Sequence, residues 1–238
     1  MKPTGAAGTP DGRERTNRTE GLSDGVFAIA MTLLVLDLRV PSHQAGTLLA
    51  SLLAQWPAYI AFLASFSYIA VVWTNHHATF RQIDAVDRVV SSANLGILLG
   101  TVLLPFPTAV LTDAFRSGSR VDEQTALVLY AAVAASMSAA WLVLFLFLER
   151  RSAVTSRATA SASWKAQARR PIFGTAGYAL GALAGVTLLP VVGLIAFVLV
   201  PLYYAATSEG LRAERRHRRS SARWRSADRP MVRRRREL

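Results

Sequence analysis

The sequence predicts an all-α membrane protein with six transmembrane helices, and three observations carry that prediction. Hydrophobic residues make up 52% of the 238 and charged residues only 18%, more apolar than an ordinary soluble domain. The apolar residues are gathered into blocks of about twenty bordered by charge, the length a helix needs to cross a bilayer. The longest block, residues 172–206, holds 35 residues without a charge. As one straight helix it would run roughly 52 Å and overshoot the membrane. Pro190 and Gly193 near its middle therefore predict two short spans joined by a tight turn.

The first span covers residues 22–39, eighteen residues, or about 27 Å of helix. Arg18, Glu20 and Asp24 stand at its mouth, Asp37 and Arg39 at its exit, and nothing between Gly25 and Leu36 is charged. Leu22, Val26, Ile29, Leu33 and Leu36 follow one another at alternating spacings of four and three, the spacing by which one helix face meets copies of itself. Ordinary packing or lipid contact explains the same row, because the helix is apolar nearly all round. Thr32, the hydroxyl in its middle, can bond its own backbone.

After a polar turn (41–47) and a brief amphipathic lead-in (48–55), Trp56-Pro57 opens the second span with Pro in the first turn, where a helix tolerates it. That span runs to about residue 75 and ends in Trp73, His76 and His77, which close it. A third span covers 92–111, bent or ended by Pro105 and Pro107, and a polar segment (112–124) loops back. The fourth span is 125–148, followed by a charged Ser/Ala-rich linker (149–170). On the fifth, Gly177, Gly181 and Gly185 recur every fourth residue, a small face for close helix contact within a subunit or between subunits.

Six spans put both termini on one side, and the basic residues say which. Of 27 Lys and Arg, 24 lie in the termini and the loops on their side, against Arg39, Arg116 and Arg120 opposite. Both ends are therefore expected in the cytoplasm. The expected layout is a disordered cytoplasmic N-terminus (1–17), a six-helix domain (18–207) and a basic cytoplasmic tail (208–238). The first block is expected to remain as an anchor, since residues 1–17 lack the apolar core and cleavage site of a secretory signal.

Ser23 and Asp24 can cap the first helix and favour its dipole; alternatively Arg18 pairs with Asp24 and locks the entrance. His76 and His77 are adjacent, so they do not face one metal, whose ligands on a helix stand three or four residues apart. One of them is expected to bond near Asp24 and the other to face solvent or headgroups. The tail's Arg runs suit anionic headgroups beside a membrane better than nucleic acid, and no nucleic-acid partner is expected. There is no cysteine, which excludes disulfides and thiolate chemistry. No Gly-rich phosphate loop, nucleophile elbow or HExxH pair is present, so no enzyme activity or cofactor is expected. Nor is there a TVGYG-like filter, and the spans hold almost no charge for a proton relay.

Arg18, then Leu22-Ser23-Asp24, Phe27-Ala28-Ile29 and Thr32-Leu33-Leu34 through Leu36-Asp37 to Val40-Pro41, closely resembles the prokaryotic TMEM175 family. Leu22 stands where that family's motif carries Phe. The likeness continues through Trp73, His76, His77 and Phe80, then Asn94-Leu95 and Pro105-Phe106-Pro107-Thr108. The resemblance implies a potassium-permeable channel of the plasma membrane, a homotetramer of six-helix subunits whose first helices line the pore. It further implies an apolar constriction at Ile29 with layers at Leu33 and Leu36, and a hydroxyl ring tied to potassium preference at Thr32. Arg18, Leu22, Ser23 and Asp24 would hold the helix mouth, supported by His76 or His77. A reading from another class is a non-conducting membrane scaffold whose basic tail binds lipid or a partner.

Overall fold

The computed structural model describes residues 10–83, 86–150 and 164–207, and every described element is helical. The basic tail, residues 1–9 and most of the linker after the fourth span lie outside the described residues. Helices suit a hydrocarbon environment because each satisfies its own backbone N–H and C=O groups.

Helix α1, Pro10–Leu33, begins well before the hydrophobic run and takes in residues 10–17 of the stretch expected to be disordered. A turn of 3-10 helix, Leu34–Asp37, tightens its end. The short α2, Leu48–Ala54, buries none of its residues. Helix α3, Trp56–Phe80, starts at the predicted Trp-Pro and carries both histidines near its end, running a few residues further to Phe80. Asp87 then accepts hydrogen bonds from the N–H groups of Val89 and Val90, both at 2.9 Å, and caps α4, Arg88–Leu103.

The third span is broken at Leu104. Helix α5, Pro105–Ser117, carries both prolines in its first turn and closes on Gly118, whose φ of 69° suits a residue without Cβ. The loop expected over 112–124 is thus far shorter. Asp113 and Arg116 keep the helix going beyond the apolar run, and Asp122 and Glu123 sit in the first turn of α6, Arg120–Arg150, where carboxylates favour the helix dipole. Charge marks where a helix leaves the lipid, not where it ends.

Helices α7, Trp164–Thr187, and α8, Pro190–Thr207, form the predicted hairpin. The start of α6 seals its turn. Arg120 donates to the Leu188 carbonyl and Gln124 to that of Val186, each at 2.8 Å, satisfying C-terminal carbonyls that α7 cannot pair itself. The glycine face of α7 is used inside the subunit. A Cβ on Gly185 would come within 2.5 Å of Leu127 Cδ1, and one on Gly181 within 2.8 Å of Ala196 Cβ.

The core is centred on α6, which packs on α4, α5 and α7, while α8 lies against α7 and α3. Tyr68, Tyr130, Tyr178 and Phe197 form an aromatic seam across α3, α6, α7 and α8, with Tyr130 stacked on Phe197 at 4.8 Å. Ser65 ties the seam to α5, its hydroxyl 3.0 Å from Tyr130 OH and 2.8 Å from Thr108 Oγ1. Four segments among the described residues are long and apolar enough to cross a membrane: Thr16–Asp37, Trp56–Phe80, Arg88–Ser117 and Arg120–Arg150; Pro190–Ala206 is a shorter apolar helix. Helix α1 packs mainly on α3 and α4, at the edge of this arrangement.

Candidate functional site

Helix α1 has two faces that composition does not distinguish. Ser23, Phe27, Ala30 and Leu34, spaced by four, three and four, are all buried against the subunit. The opposite face is bare. Leu22 is 58% exposed, Ile29 60%, Leu36 66% and Leu33 39%. Thr32 lies on the same side, its hydroxyl donating to the Ile29 carbonyl at 2.8 Å.

The expected row needs one correction. Val26 is partly buried and packs on the core, because at about 100° per residue it sits roughly 60° round from Ile29, on the flank toward the subunit. Exposed Gly25 takes its place beside Leu22 and Ile29. The bare face is thus a contiguous apolar strip of Leu22, Gly25, Ile29, Leu33 and Leu36 with Thr32 beside it.

The buried face is pinned by a polar chain through three helices. Asn94 on α4 donates from Nδ2 to Ser23 Oγ at 3.1 Å, and Ser23 donates to the Thr19 carbonyl at 2.8 Å. With the amide NH₂ turned to Ser23, its oxygen faces His76. The 2.7 Å contact there assigns the proton to His76 Nε2, making the imidazole the donor. The His76 ring is clamped between aromatics, stacked on Phe80 at 4.1 Å with its neighbour Phe27 edge-on at 5.3 Å. Beside this chain Trp73 Nε1 donates to Asp24 at 2.9 Å, and Trp73 stacks on His77 at 6.4 Å.

The predicted mouth residues therefore divide. Ser23 and Asp24 do not cap α1, because the helix starts at Pro10 and both lie in its interior. Among the described residues no ion pair or hydrogen bond joins Arg18 to Asp24, and Arg18 is exposed. Six residues on one continuous helix put their side chains about 120° apart, which prevents that pairing. Leu22 is likewise on the open side. His76 reaches the Ser23–Asp24 region through Asn94, whereas His77 serves Trp73. Asn94 and Trp73, which the sequence marks only as part of the family resemblance and not as site residues, complete this anchor. Spacing offered one clue to Trp73, which shares a helix face with His76, His77 and Phe80 at intervals of three, four and seven.

The sequence matched by the family model described as the endosomal/lysosomal potassium channel TMEM175 is residues 18–105, which encloses the whole of this polar chain. A potassium channel of Streptomyces collinus is 38% identical over 192 residues, covering 80% of this chain and 87% of that one. The chain belongs to the TMEM175 family. That family is one of ion channels, not enzymes. A potassium channel of Chamaesiphon minutus is 45% identical over 104 residues, 42% of this chain and 51% of its own length. The crystal structure of a lysosomal potassium-selective channel TMEM175 homolog from the same organism superposes with a TM-score of 0.66 at 31% identity, covering 82% of this chain and 99% of that one. For this TMEM175-family member, multi-pass membrane location accords with its long apolar helices.

Proposed function

We propose that the chain is one subunit of a homotetrameric, potassium-permeable channel of the cell membrane. Its α1 face of Ile29, Thr32, Leu33 and Leu36 turns to a shared axis. The observation that carries this reading is that face itself: α1 is fastened on one side by Ser23 and Asp24 and left open on the other, in a chain of a potassium-channel family. In the proposed subunit α7 and α8 complete six spans, with both termini in the cytoplasm on the grounds of the basic-residue asymmetry. The basic tail (208–238) lies along anionic headgroups.

The mechanism follows from wetting. Four Ile29 side chains meeting on an axis leave a neck that a hydrated ion cannot enter, and a small widening rehydrates it. Leu33 and Leu36 extend that dry zone over about 11 Å. Thr32 gives its proton to the Ile29 carbonyl, so its oxygen lone pairs remain for a partly dehydrated cation. The permeant ion is potassium, and no cofactor takes part.

Purified protein in liposomes loaded with potassium tests the proposal. Ile29→Ser should raise the flux several-fold over the unsubstituted chain, because a polar ring wets the neck. Flux indifferent to Ser, Ala and Val at Ile29 would remove it as the gate, and no potassium flux from any variant would favour the non-conducting scaffold.

A further inference from the structure

On the side of the subunit away from α1, the last two helices leave an apolar groove of about 490 Å³. Its walls are Phe173 and Leu180 of α7 and Leu199 and Tyr203 of α8, all exposed. Its floor is Gly177 and Gly181, where the helices come so close that a Cβ on Gly177 would lie 2.8 Å from Val200 Cγ2. From Phe173 to Ala184 the groove extends eleven residues. That is about 17 Å, roughly half of a 30 Å hydrocarbon core, or one leaflet.

The two ends differ. Arg169 is exposed and lies four residues before Phe173 and eleven before Leu180, which places it on the groove side of α7 one turn beyond its mouth. Tyr203 and Tyr204 of α8 come to the same end, and the Tyr204 hydroxyl donates to the Arg170 carbonyl. Tyrosine and arginine together are the residues of a headgroup layer, whereas the opposite end carries only apolar groups. By the distribution of basic residues, the Arg169 end faces the cytoplasm.

We propose that this groove holds one acyl chain of an anionic phospholipid of the inner leaflet, with Arg169 bound to its phosphate. A leaflet-deep apolar channel ending at a cation matches one lipid, chain and headgroup together. Helices α7 and α8 pack on α6 and α3, and α1 packs on α3 and α4, so the groove and the α1 face are carried by different helices of the subunit. The inference rests on the chain spanning the membrane and does not require that it conduct.

Native mass spectrometry of the full-length assembly, titrated in detergent with phosphatidylglycerol or phosphatidylcholine, tests it without measuring flux. One phosphatidylglycerol per subunit should be retained at concentrations where phosphatidylcholine is not. Arg169→Gln should weaken that retention about fivefold, the scale of one basic residue at a headgroup. Leu199→Trp, which fills the groove from its wall, should displace the lipid, while Leu63→Trp, on an exposed part of α3, should not. Equal retention of both lipids, or retention unchanged in Arg169→Gln, would overturn the proposal. So would a Leu199→Trp variant that loses subunits but keeps its lipid, since another copy would then fill the groove. If Leu199→Trp gives no intact assembly, Arg169→Gln decides alone.

Discussion

Replacing Asn94 by Leu should weaken the hold on α1 more than any other single change to its anchor. Leucine keeps the volume but can neither donate to Ser23 nor accept from His76. Ser23 keeps its bond to the Thr19 carbonyl, so its loss is that of one interhelical hydrogen bond within a membrane, about 0.6 kcal/mol on average. His76 fares worse. It is 1% exposed and ringed by Phe27, Phe80 and Trp141, none of which can accept a hydrogen bond conventionally. A buried donor stranded there costs about 1–3 kcal/mol, so the total is about 2–4 kcal/mol. Trp73→Phe loses the bond to exposed Asp24, about 0.5–1.5 kcal/mol, and keeps a ring beside His77. Unfolding midpoints in mixed micelles, followed by circular dichroism, should rank Asn94→Leu well below Trp73→Phe. His76→Phe retains the ring stacking and removes the donor. A double-mutant cycle with Asn94→Leu should therefore give a coupling of about 1–2 kcal/mol. If Asn94→Leu proves no more damaging than Trp73→Phe, or if the cycle shows no coupling, the polar chain does not fasten α1.

Thr32→Val should lower the preference for potassium over sodium in liposome flux while leaving stability within about 0.5 kcal/mol, since Thr32 is exposed and bonds only its own helix. Asp87→Ala should cost about 1 kcal/mol in the same unfolding assay by removing the acceptor for two N–H groups at the start of α4. Tyr178→Phe should be neutral or stabilise by up to about 1 kcal/mol. The Tyr178 hydroxyl is fully buried and has no hydrogen-bond partner among the described residues, so removing it forfeits no bond seen there. A clear loss of stability in Tyr178→Phe would show that the hydroxyl has a partner after all.

Much of the architecture was legible because a membrane helix announces itself locally. Hydrophobic blocks, Trp56-Pro57 at the head of α3, Pro105 at the break in the third span and Pro190 at the hairpin each act on their own few residues. Helix ends were less legible. Helices α1, α3 and α5 run past their apolar blocks into polar sequence, which carries no hydropathy signal whether it is coiled or helical.

By itself the sequence determined that this chain is helical, crosses a membrane and carries a motif-bearing first span. Only the tertiary structure decided which face of that span is buried and which is left open. A helix apolar all round has no strong direction of its own, and rotation about its axis leaves its hydropathy unchanged. The direction comes from Ser23 meeting Asn94, 71 residues away, and Asp24 meeting Trp73, 49 residues away. Such long-range polar pairs are satisfied only in one rotation of α1, the one that buries Phe27 and leaves Ile29 bare.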